Sequence, residues 1–303
     1  MIKCYCIAEE YIKITAEPDI LEPIDNMFSK FIVSDNEYSI TQTFHIAIEE
    51  ADYTDYLTIS NTAEQNKQHY CIFESDYMSL YKNNEKTMIE YHSTAVVKTA
   101  IISTANNNAV IAIINISNNY DDMKFKEISY TIRDLFFYYI QKKNKIVIHS
   151  ASIVYKDKAW LFSAPSGTGK STHVNLWHEL EFEAKDFNGD LAICYLNENN
   201  EVLAAGSPWC GTSGIFNNIT APLGGIIFIN KGLINSIERI SGINGALKIA
   251  ARSVSPAWTN DHTDITLSVS EQIANKIILG NMICLPDHDA AITSKAFIDR
   301  YNV

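Results

Sequence analysis

Seven consecutive residues, Ser166, Gly167, Thr168, Gly169, Lys170, Ser171 and Thr172, have the types and spacing of a loop that holds phosphate. Two glycines let the backbone turn so that successive N–H groups converge on an anion. Lys170 supplies a cation for the β- and γ-phosphates, and the Ser171 hydroxyl is a ligand for Mg²⁺. The strict pattern asks for a first glycine where this chain has Ala164, a variation that keeps Gly167, Gly169, Lys170 and Ser171 in register. The expected ligand is a nucleoside triphosphate, ATP, with Mg²⁺.

Such a loop works only between a strand that aims it and a helix that lends it an N-terminus. Both are written beside it: Ala159, Trp160, Leu161 and Phe162 form an apolar run, and residues 173–180 read as a helix. His173 and His178 are five apart on that helix, off the i, i+4 spacing of metal ligands, and read as ordinary helix residues.

A phosphate loop specifies a ligand and leaves the reaction to its neighbours. Downstream, Asp190 stands just ahead of the apolar run Leu191, Ala192 and Ile193. A carboxylate there suits a general base that accepts the proton of an attacking hydroxyl, and it is also a candidate Mg²⁺ ligand. Upstream, His149 ends the strand-like run Ile146, Val147 and Ile148, placed to orient Asp190 or to touch the γ-phosphate. Phosphoryl transfer spreads charge over the equatorial oxygens and calls for a further cation. Arg252 is the first candidate and Arg239 the second. Asp186 reads as a solvated loop acid first, with a substitute base or metal ligand the alternative. Trp209 and Cys210 are candidates for an acceptor pocket, with plain loop packing the alternative.

The 303 residues are 47% hydrophobic and 20% charged, a globular composition long enough for one large domain or two ordinary ones. Net charge is −12, which argues against nucleic acid or an anionic membrane as partner. Acid at Glu9 and Glu10 comes too early for a secretory leader, and no apolar run reaches spanning length, so a cytoplasmic protein is expected. Six dispersed cysteines, without a C-x-x-C pair, read as thiols rather than as disulfides or zinc ligands.

Residues 1–125 read as a β-rich domain, with substrate recruitment the first role and a dimerising sheet or plain scaffold the alternatives. Alternating patterns mark strands at 12–15, 38–41 and 56–59, and a hairpin pairs 95–102 with 109–114 across an asparagine turn at 106–108. Within 126–145, Ile128, Ile132, Leu135, Phe136 and Tyr139 recur at helical spacing, which predicts a connecting helix whose aromatic stripe is core. Residues 146–303 form the nucleotide-binding domain.

The order of His149, the Ser166-to-Ser171 loop and Gly189-Asp190 resembles the HPr kinase/phosphorylase family, which shares its core with the phosphoenolpyruvate carboxykinases. The segments Gly206-Ser207-Pro208-Trp209-Cys210-Gly211 and 221–229 are similar to those of shorter members, some of which phosphorylate ribosomal peptides. The resemblance covers roughly 146–290. It implies an α/β (α+β) fold with a mixed-sheet P-loop core, Asp190 as base, a peptide or small-protein acceptor and a possible homo-oligomer. Two departures stand out: Gly189 replaces the first acid of the family's usual Asp-Asp, and a downstream Glu-Ile-Arg-Gly is absent. Both count against phosphorolysis and against HPr as the substrate.

The expected activity is therefore an ATP- and Mg²⁺-dependent kinase acting on a hydroxyl, with serine in a peptide or small protein first. A small-metabolite kinase and an ATP sensor without turnover are the alternatives. A motor or transport ATPase is disfavoured, because the apolar run 226–229 is followed by Asn230 rather than by aspartate.

Overall fold

A computed structural model describes residues 1–34, 43–50, 70–82, 86–92, 94–104, 110–117 and 124–301. The strands expected at 38–41 and 56–59 and the turn at 106–108 lie outside them. The chain divides into two compact units, Met1–Tyr139 with Ala257–Asn260, and Ile140–Pro256 with Asp261–Val303. Its class is α/β, with two mixed sheets and, among the described residues, six α-helices.

The first unit holds β1 (Ile2–Ile7), β2 (Glu10–Thr15), α1 (Pro18–Met27), β3 (Thr43–Glu50), β4 (Tyr70–Glu74), β5 (Met78–Lys82), β6 (Lys86–Tyr91), β7 (Val97–Thr104) and β8 (Val110–Ile116). They form one sheet in the order β1-β2-β3-β8-β7-β6-β5-β4, with β2/β3 and β3/β8 parallel and the other pairs antiparallel. The period-2 pattern is explicit in β2 and β3, where Ile12 and Ile14, then Phe44, Ile46 and Ile48, are buried.

The predicted helix runs as α2 (Lys124–Gln141), and the division between units falls within it. Its stripe Ile128, Ile132, Leu135, Phe136 and Tyr139 is buried, and Tyr139 stacks on Phe44 with ring centroids 4.6 Å apart. Glu127 pins its first turn by accepting the N–H groups of Ala95, Val96 and Val97 at 2.8, 2.7 and 3.1 Å.

The second unit contains β9 (Ile146–Tyr155), β10 (Lys158–Ser163), α3 (Lys170–Glu179), β11 (Lys185–Asn188), β12 (Leu191–Leu196), β13 (Val202–Ala205) and β14 (Thr220–Lys231). After them come β15 (Ser236–Ile240), α4 (Gly242–Ala250), α5 (Asn260–Ala274), β16 (Ile278–Cys284) and α6 (His288–Tyr301). Two long strands change partners. β9 pairs with β12 through His149 and with β10 from Ser150 onward. β14 pairs with β13 at 220–222, then lies parallel to β10 and β16. Strands β9, β12, β13, β14 and β10 thus close a circuit.

The bend in β14 needs Gly224 and Gly225. A Cβ at Gly224 would stand 2.6 Å from the Trp160 ring, and one at Gly225 2.3 Å from the Ile278 carbonyl oxygen. Both faces of this sheet are covered, which is why β10 is apolar from Ala159 to Phe162. Ala159 and Leu161 join a core with Ile249 of α4 and Ile273 of α5, while Trp160 and Phe162 join one with Trp177 of α3 and Ile298 of α6.

Candidate functional site

β10 delivers the loop at the point where β9 changes partners. Ser163, its last residue, pairs with Ser150 and donates its hydroxyl to the His149 carbonyl at 2.7 Å. The loop then turns through Gly167 at φ +72° and Gly169 at φ +118°, the residue that caps α3. A Cβ at either glycine would meet nothing within 4 Å, so glycine is required there for its dihedral freedom and not for room. Ser166, Ser171 and Thr172 are exposed around the helix N-terminus. Lys170 is 8% exposed and its Nζ lies 3.4 Å from the Ala164 carbonyl. Burial lowers the pKa of its ammonium, Asp190 opposes that shift and Arg252 reinforces it, so these three charges act on one another.

A buried polar knot holds α3 in place. Ser294 donates to the Ala291 carbonyl and accepts the Trp177 indole N–H at 3.0 Å, so His173 Nε2, 2.9 Å away, carries its own proton toward Ser294. Burial depresses the His173 pKa to about 4. The residue expected to be an ordinary helix position is a core peg behind the loop.

Asp190 and His149 meet directly. Leu191 is in register with His149, and His149 Nε2 donates to Asp190 Oδ1 at 2.9 Å. Backbone bonds fix both residues: Ser150 N–H donates to the Asp190 carbonyl at 2.8 Å and His149 N–H to the Arg252 carbonyl at 3.0 Å. Arg252 follows α4, where Val254 N–H bonds to the Val147 carbonyl and Ser255 Oγ accepts Val147 N–H. Its guanidinium is half-buried, without a hydrogen bond or ion pair among the described residues. Arg239 is not brought here; it sits on the edge strand β15, over the Tyr301 ring.

The turn that presents Asp190 depends on Asn188, which the sequence reading passed over. Asn188 is fully buried. Its Oδ1 accepts Asp190 N–H at 2.9 Å and Leu191 N–H at 2.7 Å, and its Nδ2 donates to the Ser207 carbonyl at 2.8 Å. The Asn-Gly dipeptide at 188–189 was the available signal, since asparagine side chains bond backbone two residues on. Gly189 also has a structural reason. A Cβ there would lie 1.8 Å from Ser213 Oγ, so packing excludes the missing acid. Gly211, at φ +61°, faces Asp190, where a Cβ would stand 3.1 Å from Oδ2.

Two cavities flank the start of α3. One of about 320 Å³ lies among Thr168, Thr172, Leu176, Ile229, Lys231 and Pro286. The other, of about 290 Å³, lies among Ser171, Asn175, Asp186, Gly189, Thr212 and Ser213. Trp209 lines neither of these two and is 4% exposed, in line with the loop-packing alternative. Cys210 is half-buried beside Asp190, and burial raises its thiol pKa. Asp186 is not a purely solvated acid, for its Oδ1 accepts His178 Nε2 at 2.8 Å.

Among the described residues, no group of three or more His, Cys, Asp or Glu side chains gathers as a metal cage. The donors at the loop, the exposed Ser171 hydroxyl and the Asp190 carboxylate, fit the other way of holding Mg²⁺, in which one or two protein oxygens join those of phosphates. No disulfide joins the cysteines, and no helix among the described residues is long and apolar enough to cross a membrane.

No protein-family profile matches the chain, and no curated protein matches it in sequence. Among solved structures, the Hpr(Ser) kinase/phosphatase from Coxiella burnetii aligns with 52% of this chain and 95% of its own, at 10% identity and a TM-score of 0.29. A likeness this slight assigns no role to any residue here.

Proposed function

We propose that the chain is an ATP- and Mg²⁺-dependent phosphotransferase acting on a hydroxyl of a peptide or small protein, serine first, with the first unit recruiting it. The observation that carries this reading is the gathering of Lys170, the His149–Asp190 pair and Arg252 at the mouth of a glycine-turned loop. In the reaction, the acceptor oxygen bonds to the γ-phosphorus while the bond from that phosphorus to the β–γ bridging oxygen breaks, and ADP leaves. Asp190 takes the acceptor proton, its Oδ1 already held by His149. Lys170 and Arg252 offset charge on the equatorial oxygens. Ser171 and Asp190 are the residues that would hold Mg²⁺, which supplies further neutralisation of phosphate charge.

One observation favours a small acceptor as the second reading: the cavity beside Ser171, about 290 Å³, is at the small end of the size range of ligand pockets. Both readings are tested by transfer of label from γ-labelled ATP with Mg²⁺ into an extract separated into protein, peptide and metabolite fractions, with Lys170→Ala as the blank. Label in peptide or protein supports the first reading, and label in metabolites alone supports the second. ATP binding with no label anywhere removes both.

A further inference from the structure

The cavity beneath Ser171 has a chemical character that narrows what enters it. It touches the loop's helix through Ser171, Val174 and Asn175, and touches the turn carrying Asp190 through Asn188 and Gly189. A group lodged in it therefore lies against the start of the loop's helix and against the turn that leads to Asp190. Of the side chains around it, Asp186 alone is charged. His178 occupies Asp186 Oδ1 only, leaving Oδ2 able to accept.

The other polar groups divide into committed and available. Ser152 donates to the Asn188 carbonyl, Ser213 bonds Cys210 and Ile215, and the Asn188 side chain accepts twice through Oδ1 and donates once through Nδ2. Ser171, Asn175 and Thr212 have no side-chain hydrogen bond among the described residues. Available donors and acceptors thus converge with a single carboxylate and with no lysine or arginine side chain among the lining residues to receive an anion. A carboxylate or phosphate on the ligand would face Asp186 unpaired, whereas an ammonium would gain a charge-assisted bond.

We propose that this cavity is the acceptor subsite and that it takes a hydroxyl group with an ammonium close by, the chemistry of an amino alcohol. Asp186 is its specificity residue and Asp190 the base. The inference rests on the phosphotransferase reading for the fate of the hydroxyl, but the recognition is a binding property and is tested without turnover.

The probes are L-serinamide, which carries ammonium and hydroxyl, and N-acetyl-L-serinamide, which keeps the hydroxyl and loses the charge. Calorimetric titration of the full chain without nucleotide is expected to show serinamide binding about tenfold or more tightly, the worth of a bond to a charged group. Asp186→Asn should level the two probes and Asp186→Glu should restore a preference, with thermal unfolding showing that both variants remain folded. Equal binding of the probes, an unchanged preference in Asp186→Asn, or no saturable binding of either in the millimolar range overturns the assignment. A peptide with a free N-terminal serine, beside its acetylated form, separates the two sources of this chemistry. Preference there places the ammonium at the end of a chain, and preference for serinamide alone places it on a small molecule. Binding with the expected preference, but no label passed from ATP to either probe, keeps the subsite and removes the kinase reading.

Discussion

Replacing Asn188 with alanine should do more damage than replacing any of the charged residues it helps to place. The substitution strips one acceptor shared by two backbone N–H groups and one donor to the Ser207 carbonyl, all in a turn whose central side chain is fully buried. Each bond contributes about 1 kcal/mol net, and Leu191, 6% exposed, offers its orphaned N–H little water. The expected loss is about 3–5 kcal/mol, a large part of the ~5–15 kcal/mol that stabilises an ordinary domain. Urea unfolding followed by tryptophan fluorescence suits the test, because Trp160, Trp177 and Trp209 lie in the second unit and Trp258 in the first. Two units need not unfold in one step, so the transition seen by the second is the one to compare. Asn188→Asp, which keeps the acceptor and loses the donor, should fall between native and alanine. If Asn188→Ala stays within about 1 kcal/mol of native, the turn is held by something else and the account of how Asp190 is presented is wrong.

Asp190→Asn is expected to slow transfer by about 10²-fold or more, the scale of positioned acid–base catalysis. Full activity in that variant would take the base role away from Asp190. Gly189→Ala should destabilise the second unit by about 1–3 kcal/mol, because the new Cβ lands on Ser213. Adding Ser213→Gly should recover much of that loss, and a double-mutant cycle with no coupling would refute the contact. His173 predicts a pH effect. Its pKa is depressed from 6.5 to about 4 by burial, so between those values the unfolded chain binds a proton that the folded chain refuses. Stability should therefore fall as pH drops through that window, by up to about 3 kcal/mol, and His173→Gln should remove this part of the slope.

The phosphate loop was legible because every part of it is local: an apolar run, glycines at the positive-φ positions and a helix whose face repeats at 3.6 residues. The helix at 124–141 was legible for the same reason. What stayed hidden is long-range. Nothing near Arg252 announces that residues 252–254 lie along β9, and nothing near Arg239, the second candidate, announces that β15 is at the sheet edge. For Trp209 a Pro-Gly-bounded loop left pocket lining and loop packing both open, and it is packing within the second unit that buries it. Gly189 read as a lost acid, when the absence of a side chain there is what lets the 210–215 loop close against the turn.

The charged groups come together at a place fixed by backbone rather than by their own attraction. β9 leaves β12 after His149 and joins β10 at Ser150, and the phosphate loop departs from Ser163, directly across from Ser150. The main chain of β9 thus sets both where Asp190 stands and where the loop begins. His149 and Asp190 are held there through their main-chain atoms, Arg252 through its carbonyl, and Lys170 as the first residue of a helix pegged from behind by Ser294. The side chains themselves add little to stability, since the His149–Asp190 pair is partly exposed and solvent weakens it. Chemistry and architecture therefore separate in this site. Asp190→Asn should silence transfer in a molecule as stable as the native one, while Asn188→Ala should lose the geometry with every charged group still present. A molecule in which the two substitutions gave the same loss of stability would show the site to be built by its charges after all.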